Sequence, residues 1–350
     1  MGLCLEPFFH KKAYKPRSFF NERNMSLSNK SFGTQVGLLF GLTGVCLVGI
    51  AAALVYVRSQ HADPSLPEPH SVTSQELEEY VSQHPTQFTN DTEIVLGVVS
   101  DIEGAISEAE HSASLLRLVQ GLDGIIIAGD TYENEQIRGD PLYPQSSDNL
   151  QEMVSGIRPY AELGVPLFVI PGNHETQEIY TQGIRELRSE FPLVFDLNHA
   201  VADFTGINFV GWGGYHDSRF IAPEGFLLVQ NDYAWLEEQL LSLQGEREPT
   251  VLITHGPPRS DTVIDYVPGI GHVGDEQLAE ILHRPELTGI LNIHGHIHEG
   301  GGTNATIQSD VAVLNVAAIT SYHNPVGART GVLILDVEKG NLSVQYVNLY

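Results

Sequence analysis

Residues 165–175 read Val-Pro-Leu-Phe-Val-Ile-Pro-Gly-Asn-His-Glu. Val165 to Ile170 is an apolar run of strand length, and Pro171-Gly172 stops it, since proline lacks the ladder donor and glycine admits the turn. The chain then presents Asn173 and His174 side by side. A buried strand ending this way delivers polar groups to the carboxyl edge of a sheet, where open α/β folds keep their chemistry. Asn-His pairs are common in turns, so the weight of this one depends on how the other strands end.

Outward from this stretch the pattern is regular. Strand-length runs at Ile94–Val99, Gly124–Ala128 and Val165–Ile170 alternate with helical segments around Ala105–Gln120 and Asn149–Leu163. That alternation predicts βαβ units and a largely parallel sheet. A strand-rich stretch follows at Ala200–Val210, then an amphipathic helix over Asp232–Leu243, then strands at Val251–Thr254, Gly289–Ile293 and Val311–Val316. Gly331–Asp336 and Leu342–Val347 read as two edge strands joined through Glu338-Lys339-Gly340. No internal repeat interrupts the series, so residues 92–350 are expected to form one α/β domain.

Five predicted strands end in one kind of chemistry. Ile94–Ser100 runs into Asp101-Ile102-Glu103-Gly104, Gly124–Ala128 into Gly129-Asp130-Thr131-Tyr132-Glu133-Asn134, and the quoted strand into Gly172-Asn173-His174-Glu175. Val251–Thr254 is followed by His255-Gly256, and Gly289–Ile293 by His294-Gly295-His296-Ile297-His298. Singly each has a plainer explanation, because an Asp after a strand is a common helix cap and Gly-Asp a common turn. Five independent turns have no reason to bring acids, an amide and imidazoles to the same edge. Within the His-x-His segment, strand alternation puts His296 and His298 on the same side. Carboxylates, imidazoles and an amide without thiolates suit divalent Mn, Fe, Zn or Co.

The set resembles the calcineurin-like metallophosphoesterase family, whose motifs D-x-H, G-D-x-x-[DN], G-N-H-[ED], an isolated His and G-H-x-H are matched in order between residues 93 and 300. The resemblance implies a four-layer α/β/β/α sandwich of two mixed sheets with a dinuclear metal site at the strand ends. It implies hydrolysis of a phosphate ester by in-line attack of a hydroxide held between two divalent ions, with Mn favoured. Carried across by position, Asp101 and His298 would bind the first metal, Asp130 would bridge both, and Asn173, His255 and His296 would bind the second. His174 would stand by the substrate as the catalytic side chain. Gly211-Trp212-Gly213-Gly214 and His272-Val273-Gly274 also resemble segments that line the pocket in some branches. Two positions depart from the pattern: Glu103 stands where the first motif has His, and Glu133, with Asn134 beside it, where the second ends in Asp or Asn. Glu103 either replaces imidazole as a first-metal ligand, which hardens the site toward Mn or Mg, or points away and leaves that metal weakly held. A non-catalytic metal- or ligand-binding protein on the same fold is the second reading, and a nuclease the third.

Charge narrows the partners. The 350-residue chain has a formal net charge of −26, spread as +5 over residues 1–58 and −31 over the rest, where Lys339 is the only lysine. So acidic a body repels polyanions, and no nucleic acid partner is expected. Cys4 and Cys46, the only cysteines, precede the domain and give it neither disulfide nor thiolate ligand. Val36–Val57 holds 22 residues without a charge, and about 20 cross a bilayer. Six basic residues precede it and none occurs in the first 20 residues after Arg58. The positive-inside rule therefore predicts a basic cytoplasmic tail (1–35), a transmembrane anchor (36–57), a polar tether (58–91) and a catalytic domain outside the cytoplasm. A cleaved signal sequence is the alternative.

Overall fold

In the computed structural model the described residues are 93–134, 147–244, 249–307, 311–320, 328–338 and 341–348. The tail, anchor and tether expected over 1–91 lie outside them. Among the described residues no helix is long and apolar enough to cross a membrane.

The first four strands are β1 (Glu93–Val99), β2 (Leu122–Ala128), β3 (Leu167–Ile170) and β4 (Val194–Asp196). Then come β5 (Ala200–Phe204), β6 (Ile207–Trp212) and β7 (Thr250–Thr254), followed by a short hairpin of β8 (Tyr266–Val267) and β9 (Gly271–His272). The series closes with β10 (Ile290–His294), β11 (Asn304–Ile307), β12 (Val311–Asn315), β13 (Gly331–Glu338) and β14 (Asn341–Asn348). The α-helices are α1 (Ile106–Leu116), α2 (Ser147–Ala161), α3 (Gln177–Glu190), α4 (Gln230–Leu243) and α5 (Glu276–Leu282).

One sheet has the order β14-β13-β1-β2-β3-β4, with β1 to β4 parallel and β13 and β14 antiparallel. The other has the order β11-β12-β10-β7-β6-β5, with the four inner strands parallel and both edges antiparallel. The fold is α/β with two mixed sheets. Alternate residues of the strands sort into separate cores. Leu96, Val98, Ile126 and Ile170 of the first sheet meet Val251, Ile253, Leu291 and Ile293 of the second in one buried layer. Ile125, Ile127 and Val169 face the other way, against Met153 of α2 and Ile184 of α3. Val210, Leu252 and Val313 pack against Leu236 of α4 and Leu278 of α5. Strands covered on both faces have no polar side to show, which is why they read as continuous apolar runs.

Phe168 anchors the layer between the sheets, with ring centroids 5.9 Å from Phe195, 5.6 Å from Phe204 and 5.3 Å from Phe209. Phe168→Leu should lower unfolding stability by about 1–2 kcal/mol, the combined loss of ring pairs and a partial cavity. Chemical denaturation of the variant would reveal it, and an unchanged midpoint would contradict this packing role.

Several expectations change. β3 begins at Leu167, after Pro166, whose missing N–H cannot join a ladder. The stretch 200–210 is a hairpin, turning at Thr205 and Gly206 with φ of 57° and 80°, the two left-handed positions of a tight type I′ turn. The tail is not a pair of edge strands: β13 lies between β14 and β1, and only β14 is an edge. Alternation along a strand records its two faces and is silent about its neighbours. Helices α3 and α5 and strand β4 were not expected, because α3 is polar outside its buried stripe of Ile179, Tyr180, Ile184 and Leu187, and α5 and β4 are too short to display a period.

Candidate metal centre

The five ligand-bearing strands divide between the sheets, β1, β2 and β3 in one and β7 and β10 in the other. Their carboxyl ends meet because backbone bonds stitch the two edges together. Ile319 N–H, after β12, donates to Ser100 O at 2.9 Å, and Thr320 N–H donates to Asp101 O at 2.9 Å. Asp101, Glu103, Asp130 and His296 all hold left-handed backbone, with φ of 53°, 44°, 52° and 65°. Non-glycine residues seldom adopt it, and such strain collects at functional sites. At Gly172 a Cβ would overlap Asp130 Oδ1. The Pro-Gly stop therefore serves a close approach as well as a turn.

Three clusters of candidate ligands have donor atoms within 4.8 Å of one another: Asp101, Glu103 and His298; Asp130, His255 and His296; and Glu103, Glu133 and His174. In the first, His298 Nε2 lies 3.2 Å from Asp101 Oδ1 and 3.4 Å from Glu103 Oε1. Burial disfavours a charged imidazole there, but the hydrogen bonds to Asp101 and Glu103 outweigh it and push His298 up to about 11. Glu103 Oε2 is buried and has no hydrogen-bond partner among the described residues.

In the second, His255 spans the sheets. Its Nδ1 lies 2.9 Å from Ala128 O, and that carbonyl can only accept, so Nδ1 carries a proton. Nε2 is 2.8 Å from Asn173 Oδ1 and 3.2 Å from Asp130 Oδ2. The Asn173 amide is oriented by its Nδ2, which donates to Phe220 O at 2.8 Å. Three acceptor atoms aimed at one another repel unless a proton or a metal cation lies between them. Burial opposes the charged ring, yet Asp130 and Asp101 push His255 up to about 9. His296 is driven the other way, down to about 3, by burial first and the His255 charge second. A neutral imidazole keeps the lone pair that a metal requires.

His174 stands over both clusters, its Nε2 3.6 Å from Asp130 Oδ2 and 4.0 Å from Glu103 Oε1. Asn134 holds it from behind: its N–H donates to His174 Nδ1 at 3.4 Å and its Nδ2 to His174 O at 3.0 Å. The acceptor nitrogen thus faces Asn134, and the N–H faces the cavity. Burial lowers the His174 pKa, but Asp130, Glu103, Glu133 and Glu175 together raise it. The shift of the second motif by one residue therefore puts Glu133 in a ligand cluster and Asn134 on the back of His174.

All eight sequence-predicted site residues come together at this edge. The local conformation behind one of them was misjudged: β10 ends at His294, His296 is left-handed, and His298 opens a 3₁₀ turn. His296 and His298 reach different clusters because the backbone twists between them, and strand alternation does not apply. Sequence reasoning also gave no part to Glu175. This fully buried carboxylate accepts from Thr131 N at 2.5 Å, Gly172 N at 2.7 Å and Asp130 N at 3.2 Å. It locks the end of β2 to the end of β3, and its place in the G-N-H-[ED] motif was the signal for it.

Donors at the ends of parallel strands from two mixed sheets, with carboxylates, imidazoles and one amide, define a metal-binding α/β protein of the phosphoesterase type. The profile of the calcineurin-like phosphoesterase family matches residues 94–300, and the chain belongs to that family. The protein TT1561 of Thermus thermophilus is 14% identical, with a TM-score of 0.50 over 73% of this chain and 99% of that one. A dimetal phosphatase from Danio rerio is 12% identical, with a TM-score of 0.47 over 73% of this chain and 98% of that one. At 14% identity the likeness to TT1561 speaks to the fold alone. No curated protein matches the chain by sequence.

Proposed function

We propose that the chain is a metal-dependent phosphoesterase holding two divalent ions, with Mn favoured, tethered to a membrane through residues 36–57 and acting outside the cytoplasm. The observation that carries the catalytic reading is the convergence of the donors. Buried acids, imidazoles and an amide converge, and among the described residues Glu103 Oε2 lacks a partner and no Lys or Arg lines the cavity above them. Buried anions need cations, and hard oxygen and imidazole donors suit divalent ions.

On this reading Asp101, Glu103 and His298 hold one ion, Asn173, His255 and His296 the other, and Asp130 lies between. Such ions, when bound, polarise phosphoryl oxygens and acidify water for in-line attack. The chain's own part is to orient and to move protons. Asn134 keeps the His174 proton on Nε2, where it can pass to the leaving oxygen. Glu175 keeps the backbone of Asp130 and Gly172 in place. Support for the membrane anchor comes from the uncharged Val36–Val57 run and the basic residues before it.

The test uses the full chain purified in detergent. Dialysis against Mn should leave two ions per chain by elemental analysis, and the loaded protein should hydrolyse a generic aryl phosphate monoester or diester. Fewer than one ion per chain, without turnover of either ester, would favour the non-catalytic reading.

A further inference from the structure

We infer that the substrate's leaving group is apolar and is held against Phe220 and Ile270; this rests on the hydrolytic reading above. The cavity over the donor clusters is about 250 Å³ and is lined by two unlike sets of side chains. One consists of the donors themselves. The other is hydrocarbon: Tyr215, Phe220, Val267, Ile270 and Val273. A phosphoryl group at the donors would therefore project its alcohol portion against apolar side chains.

Both jaws are placed by backbone contacts. Phe220 ends a 3₁₀ turn over Ser218–Phe220, and its carbonyl accepts from Asn173 Nδ2. The ring is thereby held next to the donor cluster, with the residue 40% exposed. Ile270 sits at the tip of the β8–β9 hairpin between Gly269 and Gly271, both at positive φ, and is 71% exposed. The base of that hairpin is anchored. His272 Nδ1 lies 2.8 Å from the buried Asp265 Oδ1, Val273 N–H donates to Asp265 O at 2.9 Å, and Tyr215 OH donates to Val273 O at 3.0 Å. Tyr215 in turn packs its ring 4.1 Å from that of His296. Scattered exposed apolar residues need no explanation. Two of them on anchored turns, lining the cavity that holds the donors, place hydrocarbon where the substrate's alcohol portion must lie.

The cavity itself is acidic. Among the described residues the cavity offers Glu299 and no guanidinium or ammonium beyond the donors. In the neighbouring cleft, which shares Phe220 and Ile270, Arg219 forks onto Asp217 with its guanidinium 5.5 Å from the Phe220 ring centroid, and Arg259 donates to the His272 carbonyl.

Non-hydrolysable phosphonates separate binding from turnover. With the Mn-loaded full chain in detergent, calorimetry should show phenylphosphonate binding roughly tenfold or more tightly than methylphosphonate, the gain expected for burying one ring. Ile270→Ser and Phe220→Ala should each shrink that ratio to about twofold. Ile270 is exposed, so its variant keeps the fold even if Phe220→Ala does not. Equal affinities in the parent chain, or a ratio that Ile270→Ser leaves intact, would overturn the inference while leaving the hydrolytic reading standing. A loaded chain that binds neither phosphonate, nor hydrolyses phenyl phosphate, would remove both.

Discussion

Asp130→Asn is expected to lower hydrolysis of an aryl phosphate by ~10³-fold, about 4 kcal/mol of transition-state stabilisation, and to reduce bound metal from two ions to one. Asp130 is 2% exposed and meets both sheets, its Oδ2 3.2 Å from His255 Nε2 and 3.6 Å from His174 Nε2. On the proposed assignment it is the one carboxylate between the ions, so losing its charge weakens both. Asparagine retains an oxygen where Asp130 Oδ1 accepts from His174 N–H at 2.9 Å, so the turn should persist and the circular dichroism spectrum with it. Elemental analysis after dialysis and a steady-state rate measure the two effects. Two ions still bound, with the parent rate, would take Asp130 out of the metal centre.

Glu175→Ala is the counterpart in stability. Its removal leaves the N–H groups of Asp130, Thr131 and Gly172 without their acceptor in a site that is itself fully buried. Each unsatisfied buried donor costs about 1–3 kcal/mol, and with partial relief by water the sum is roughly 4 kcal/mol. That is a large share of the 5–15 kcal/mol typical of a domain, and should lower the melting temperature by about 10 °C. Burial first, then the Asp130 charge, push the Glu175 carboxyl up to about 6 against its three N–H donors, so the ionised clamp is already costly and its bonds are needed. Glu175→Gln keeps one acceptor but turns an amide N–H toward a donor, so it should fall between Ala and the parent. A melting curve unchanged in the alanine variant would show that the ends of β2 and β3 hold each other without it.

How much of this was legible varies with the interaction involved. The strands of the core were readable from short apolar runs with turn residues at their ends, because the burial of both faces leaves a local mark. The hairpin 200–212 was blurred into one stretch, since its turn consists of only Thr205 and Gly206. The placement of β13 inside its sheet was invisible, since pairing with β1 joins residues more than 230 positions apart (Glu93 with Asp336). At the site, Glu103 is the instructive residue. Its sequence position left open whether it faces the donors, and its left-handed backbone with a carboxylate 3.4 Å from His298 answers where it points.

By itself, the sequence determined which donor types stand at which strand ends, since each is fixed within a few residues of an apolar run and a turn. It thereby determined the family and the metal chemistry the donors suit. Only the tertiary structure decided that the donors come from two sheets, which of them share a cluster, that Asn134 turns His174 and that Glu175 clamps two strand ends. Those outcomes rest on hydrogen bonds between segments distant in the chain and on left-handed turns that only those contacts can hold, and neither leaves a local pattern to read.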